Sequence, residues 1–309
     1  MLTAARTLLA AIAVAGALAG CGGGRSPAPP TASRALPYSA INTGNARRVV
    51  VTPATLRGPI AVYRLHVRAA LGAMLADVAA MRRAIGRGNL AAARAAWQRA
   101  DGRYETIGAA YGAFGDLDAA INGLPGGLQG GIRSADFTGL HRIEYALWEH
   151  RSVREAAPYA ARLARDVAKL RRHIGAIDPL DFTLRSHEIL EDTLHLHLAG
   201  VAGRWSSNTL PVVVANIAGT RLILRELEPI TRAADPLAAI LARRSLDRLD
   251  GAVRRLRRHG RYPRWDTLDQ IDRERVAGFT AAAAERLSFI PGLADPRPPR
   301  PAQTPTAVR

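Results

Sequence analysis

This sequence predicts an all-α protein built as two packed four-helix bundles, and three observations carry that prediction. Hydrophobic residues make up 48% of the 309 residues and are mostly alanine and leucine, the side chains of helices packed on helices. Aromatic residues are only 5%, too few for a sheet sandwich built on β-branched and aromatic strands. From about Pro53 to Pro291, apolar residues recur at spacings of three and four, broken by Gly, Pro and Asp.

The amino terminus has the layout of an export signal. Arg6 is followed by an apolar run from Leu8 to Leu18 and small residues before Cys21. Residues 1–20 are therefore expected to be removed, and the ending Leu18-Ala19-Gly20-Cys21 resembles the lipobox of bacterial lipoproteins, which makes Cys21 the expected lipidation site. Cys21 is the sole cysteine, so no intrachain disulfide or thiolate metal site can form. Residues 21–45 are rich in Gly, Ser, Pro and Ala and read as a flexible tether. The folded body is expected over 46–292 and a disordered Pro-rich tail over 293–309.

Within the body, the periodicity predicts helices at about 57–86, 90–113, 136–150, 155–174, 182–200, 209–232, 236–258 and 267–289. Gly123–Gly127 and Gly175–Pro179 break the pattern, and the division between bundles is expected near Asp178-Pro179. Only the short Arg48–Val51 run alternates toward a strand.

Chemistry concentrates on few positions. Counting about 100° per residue puts Phe137, Leu140, His141, Glu144, Leu147 and Trp148 on one face, so His141 and Glu144 occupy the middle of a stripe facing the core. A carboxylate there is costly unless paired, hydrogen-bonded or metal-bound. The i, i+3 spacing lets both side chains converge on one ion, or bond to each other in a purely structural role. In the helix from Arg185, His187 and Glu191 fall at the apolar face with Glu188 farther round, and Glu191 is the better inward candidate. His195 and His197 read as part of a solvated surface. Upstream, Trp97, Ala100, Tyr104, Ile107 and Tyr111 mark a buried face with Asp101 near its centre and Glu105 at its margin. Asp116 and Asp118 follow in a turn, where acids commonly cap.

Several functions are set aside. The net charge is +17, yet the basic residues are nearly all arginine and interleaved with acids and alanines, with no stripe or stacking platform for nucleic acid. His187-Glu188 is followed at the fifth place by Glu191, so the zincin pattern fails, and His141-x-x-Glu144 is followed by Tyr145, so the inverted pattern fails too. No Gly-x-Ser-x-Gly elbow or phosphate-binding glycine loop is present.

Phe137-Thr138-Gly139-Leu140-His141-Arg142-Ile143-Glu144 resembles the Gly-x-His-x-x-Glu signature of imelysin-like proteins, in particular the EfeO/EfeM branch of bacterial iron-uptake lipoproteins. Ala96-Trp97 through Tyr104-Glu105, Tyr111 through Asp118, His187 through Asp192, and Ala215-Asn216 with Gly219-Thr220 extend the resemblance over about residues 57–292. It implies a metal site on the His-x-x-Glu helix: His141 and Glu144 match the motif outright, and Glu105, Asp118 and one of Glu188 or Glu191 are the implied partners. Some members carry a second acid three residues after the position of Glu105, where this chain has Gly108. Longer EfeO proteins begin with a cupredoxin domain, so this chain, with only a tether before its bundle, resembles the shorter EfeM form.

The expected function is a lipid-anchored, extracytoplasmic binding protein that captures iron and passes it to a membrane permease, beside a peroxidase-type partner. Carboxylates with imidazole suit iron and would also take zinc or copper. No enzymatic activity is expected. The alternatives are a metallopeptidase, the activity the imelysin name carries, and a di-iron oxidase, which would need paired Glu-x-x-His motifs.

Overall fold

A computed structural model describes residue 47 and residues 49–297. The expected signal segment, the lipidation site at Cys21, the whole of the tether and most of the tail lie outside these residues. Ten α-helices are described: α1 (Pro53–Gly86), α2 (Leu90–Glu105), α3 (Asp116–Asn122), α4 (Gly139–Trp148), α5 (Val153–Arg172), α6 (Pro179–Asp192), α7 (Thr209–Ala234), α8 (Pro236–Arg255), α9 (Gln270–Leu287) and α10 (Phe289–Leu293). Among the described residues there is no strand, and Val49–Val51 leads into α1 without one. The all-α prediction holds.

Local chemistry sets the helix starts. The Thr52 hydroxyl accepts from the Thr55 backbone N–H at 3.3 Å, and Pro53 occupies the first turn, where its missing N–H costs nothing. Asp178 accepts from the N–H groups of Leu180 and Asp181, both at 2.9 Å, with Pro179 next in the chain. The break expected near Asp178-Pro179 is thus a capped helix start. Asp235 caps α8 in the same way, accepting from Leu237 and Ala238 at 3.0 Å.

α1 packs on α2 and α5, and α4 on α2 and α5. In the second half α6, α7, α8 and α9 pack in a ring of neighbours, α6 touching both α7 and α9. This pairing is consistent with two four-helix bundles. One apolar cluster runs through all of them, from Leu56 and Val67 through Trp97, Leu140 and Leu163 to Leu190, Leu227 and Leu287.

Three predicted elements change at functionally placed points. The helix expected over 90–113 stops at Glu105 and resumes as a 3-10 turn over Gly108–Ala113, while Asp116 and Asp118, expected in a turn, start α3. The helix expected over 182–200 becomes a π-helix at Thr193–Leu198. Such segments often lie at functional sites because the wider turn re-aims side chains. At the carboxyl end, Leu293 and Ala294 join the core and Pro296 is buried too, so the packed chain passes the expected boundary at 292.

Candidate functional site

Two backbone anchors bring α2 and α4 together. The Trp97 indole N–H donates to the Leu140 carbonyl at 2.9 Å, and Arg94 Nη2 donates to the Leu147 carbonyl at 2.7 Å. Across this seam, Asp101 and Glu105, one turn apart on α2, face His141 and Glu144 on α4, and all four are buried. Gly139 makes the approach possible. Its φ is +72°, and a Cβ there would lie 2.2 Å from the Ile121 carbonyl oxygen, so a side chain would push α4 off the end of α3.

Glu144 is fully engaged. Its Oε2 lies 3.1 Å from His141 Nδ1, and its Oε1 accepts from Ser206 N (2.8 Å), Ser206 Oγ (2.7 Å) and Trp205 N (3.1 Å) in the loop before α7. In the neutral imidazole, a proton on Nδ1 serves the Glu144 Oε2 contact and leaves the Nε2 lone pair for another partner. Burial works against the charged imidazole, but the hydrogen bond and charge of Glu144, with Asp101 behind, raise the His141 pKa above its usual value.

His197, on the π-helix, completes the group. Its Nε2 lies 3.4 Å from Glu105 Oε2, and both side chains are buried. Burial alone would raise the Glu105 pKa, but the positive charge of His197 lowers it, helped by His141 and Asn216. With the Asn216 amide turned so that its nitrogen faces Glu105, it donates to Glu105 Oε2 at 3.2 Å and to the Glu105 carbonyl at 3.0 Å. His197 is raised in turn, its burial outweighed by Glu105. Asp101 accepts from Asn208 Nδ2 at 3.0 Å and is pushed up to about 7, first by burial and then by the neighbouring Glu105 charge. Asp101, Glu105, His141, Glu144 and His197 thus form one buried set inside the helices. Among the described residues no three His, Cys, Asp or Glu side chains converge in a ligating arrangement. The set is held as pairs: His141 with Glu144, His197 with Glu105, Asp101 with Asn208.

The other sequence candidates lie elsewhere. Asp118 accepts from the Tyr104 hydroxyl at 2.6 Å, and Tyr104 stacks on Tyr111 with centroids 5.1 Å apart, so Asp118 borders the set through an aromatic layer. The Glu188 side chain is 34% exposed and lies 3.4 Å from Arg185 Nε. That of Glu191, preferred as the inward residue, is 47% exposed and lies 3.9 Å from His187. Neither is brought to His141. His197 corrects the reading of a solvated surface. It lies seven residues after Leu190, about two turns, which returns it to within about 20° of that buried leucine. The spacing carried the signal, and the polar composition of the helix masked it. Gly108, at the position where some imelysin-like proteins carry an acid, packs against Ile189: a Cβ would lie 3.0 Å from Ile189 Cγ1.

Comparison with known proteins agrees with this architecture. Residues 60–181, which include α2, α4 and the His-x-x-Glu motif, match the peptidase M75 family model described as Imelysin. The chain is similar to the iron uptake system component EfeM of Pseudomonas syringae pv. syringae (strain B728a), 24% identical over 260 residues, which are 83% of this chain and 91% of that one. It is also similar to the iron uptake system component EfeO of Escherichia coli (strain K12) and of Shigella flexneri, 26% identical over 241 residues. That alignment takes in 77% of this chain but only 64% of EfeO, so the chain spans less than two thirds of those relatives. The chain is thus similar to imelysin over the segment that carries the motif, and to the EfeM and EfeO iron uptake components over most of its body.

Proposed function

We propose that this chain is an extracytoplasmic, iron-binding component of an uptake system, lipid-anchored through Cys21, that takes its cargo ion into the set formed by Asp101, Glu105, His141 and His197 and hands it to a membrane permease. A peroxidase-type partner in the same system fits a cargo whose valence has to change before transport. The observation that carries the reading is the buried set itself: two carboxyls and two imidazoles brought together from three helical segments, in a chain similar over most of its length to components of iron uptake systems. Carboxylate and imidazole donors fit iron, and the same donors take zinc or copper.

Glu144 has a different role from the one its motif suggests. With three donors on Oε1 and His141 on Oε2, it orients the imidazole and fixes its tautomer as a residue behind the ligands does, rather than meeting the ion. Asp118 lies one tyrosine layer away, suited to guiding a cation inward, and Glu188 and Glu191 belong to the outer surface.

The same geometry argues against peptidase chemistry. A metallopeptidase needs a carboxylate free to take a proton from metal-bound water, and the motif carboxylate is occupied at both oxygens. Metal-loaded protein is therefore expected to leave peptide libraries as intact as a chelator-treated control. The deciding experiment for binding is a direct titration of the full chain with iron, zinc and copper. Glu105→Gln and His197→Ala should each weaken iron binding at least about tenfold, and Glu191→Gln should not. Wild-type affinity in both of the first two variants would remove the proposed site.

A further inference from the structure

The solvent-facing side of α1 has a property that the metal site does not use. Gly58, Ala61, Val62, Leu65 and Ala69 are exposed and lie within about 100° of one another around the helix axis, over about 17 Å of its length. Leu65 is 67% exposed and Val62 46%. Single exposed apolar residues are ordinary, but here five uncharged positions form one continuous outer strip. α1 carries no acidic residue before Asp77.

One flank of the strip is basic. Arg57, Arg64 and Arg68 lie side by side along it, toward α5. The carboxyl end of α5 brings Arg171 and Arg172 against the same flank, where they and Arg68 line a depression of about 260 Å³. Backbone contacts fix the arrangement. Arg64 donates to the carbonyls of Ile174 and Gly175, both at 3.2 Å, and Arg171 Nε donates to the Arg68 carbonyl at 3.3 Å. Gly72 leaves room for that guanidinium, since a Cβ there would sit 3.4 Å from Arg171 Nε. Among the described residues, none of Arg57, Arg64, Arg68, Arg171 and Arg172 takes part in an ion pair, whereas α7 and α8 pair Arg221 with Asp247 and Asp250.

We infer that the outer strip of α1, with the arginines of α1 and α5 along its flank, seats this protein on an anionic phospholipid surface. A helix lying in a bilayer interface places small and aliphatic side chains just below the headgroups and lets long cationic side chains reach the phosphates. The strip offers Leu65 and Val62 for the first task and Arg57, Arg68 and Arg172 for the second, while Arg64 and Arg171 are held on backbone carbonyls and add their charge from there. It lies on the outside of a helix cylinder, and a flat bilayer accepts such a ridge at its interface. Anionic lipid also matches the charge, because each arginine near such a surface strengthens binding by about fivefold. The strip contains no aromatic side chain on which a nucleic acid base would stack. This contact is separate from lipidation of Cys21 and from the metal site. It would hold the body down on the membrane.

The test uses the full chain carrying Cys21→Ser, so that a solvatochromic dye can be attached at a single position, either Leu65→Cys on the strip or Ala281→Cys on α9. Vesicles containing phosphatidylglycerol should shift the dye at position 65 to the blue and leave the dye at 281 unchanged. Pure phosphatidylcholine vesicles should shift neither. The shift should vanish at high salt, and the vesicle concentration for half-maximal shift should rise at least about tenfold in Arg68→Glu/Arg172→Glu. Circular dichroism confirms that the variants remain helical. No shift at position 65 on anionic vesicles, or equal shifts at both positions, overturns the inference. A dye at 65 that is already blue-shifted without vesicles also overturns it, because the strip is then covered by the chain's own remaining residues or by a second copy.

Discussion

Glu144 holds His141 by its Oε2, 3.1 Å from Nδ1, while its Oε1 gathers the two backbone N–H groups and the hydroxyl of the Trp205-Ser206 loop. One carboxyl group therefore couples the tautomer of an α4 histidine to the position of the loop before α7. Glu144→Gln tests the coupling. The glutamine oxygen can still serve the loop, but its amide would donate to His141 Nδ1 and move the imidazole proton to Nε2, removing the lone pair an ion needs. Iron affinity should fall about 10–100-fold, and nitrogen chemical shifts of the imidazole should report the changed tautomer. Unchanged affinity with the tautomer reversed would take His141 out of the ligand set.

His197 and His195 form a matched pair for a second test. His197 lies 3.4 Å from Glu105 with both groups buried, and His195 is exposed. His197→Ala leaves a buried carboxylate without its partner and should cost about 3–5 kcal/mol in chemical denaturation. His195→Ala should stay within about 0.5 kcal/mol of wild type. Equal costs for the two would contradict the buried ion pair.

Stability should depend on pH in a direction set by this set. Asp101 is raised from 3.8 to about 7, so between those values the folded state holds a proton that the unfolded chain has released. Its contribution is fully present below about pH 4 and is lost as pH rises through about 7. The raised His141 and His197 act in the same sense above their unfolded value of 6.5. Glu105, lowered, contributes in the opposite sense, losing stability as pH falls below 4.5. In the absence of metal, unfolding free energy should therefore decline from about pH 5 through about pH 7, with a slope of up to about 1.4 kcal/mol per pH unit for each proton released. Asp101→Asn should flatten the lower part of that decline. Iron affinity should move the other way, rising with pH as the ion displaces these protons. A flat stability profile in the wild type would reject the raised Asp101.

Gly139 provides a purely steric prediction. With φ at +72° and the Ile121 carbonyl oxygen 2.2 Å from where a Cβ would go, Gly139→Ala should cost about 3 kcal/mol or more and weaken iron binding by displacing His141. A variant as stable as wild type in thermal denaturation would mean that α4 does not need this approach to α3.

Lipidation is tested on the mature protein from membranes. Mass spectrometry should find residues 1–20 removed and a diacylglyceryl mass on Cys21. An unmodified Cys21 in a membrane-free fraction would end that reading.

Sequence periodicity alone determined the helical class, the main helices and the core face of α4, because burying an apolar stripe forces a repeat of 3.6 residues that can be counted without coordinates. It also placed Asp101, His141 and Glu144 on inward faces and Glu105 at the edge of one. Tertiary structure decided what those faces meet. That Ser206 and Trp205 would occupy Glu144, or that Asn208 would reach Asp101, has no local signature, since each contact joins residues 61 to 107 positions apart. The same holds for His197: its phase was readable two turns after Leu190, but only the π-turn and the approach of α2 turn a polar-looking histidine into the partner of Glu105. Glu191 shows the complementary limit, because lying near an apolar stripe does not say whether a neighbouring helix covers that edge. A helix fixes the direction of its own side chains, whereas the partners of a buried charge come from other segments, and only the packed fold brings those segments together.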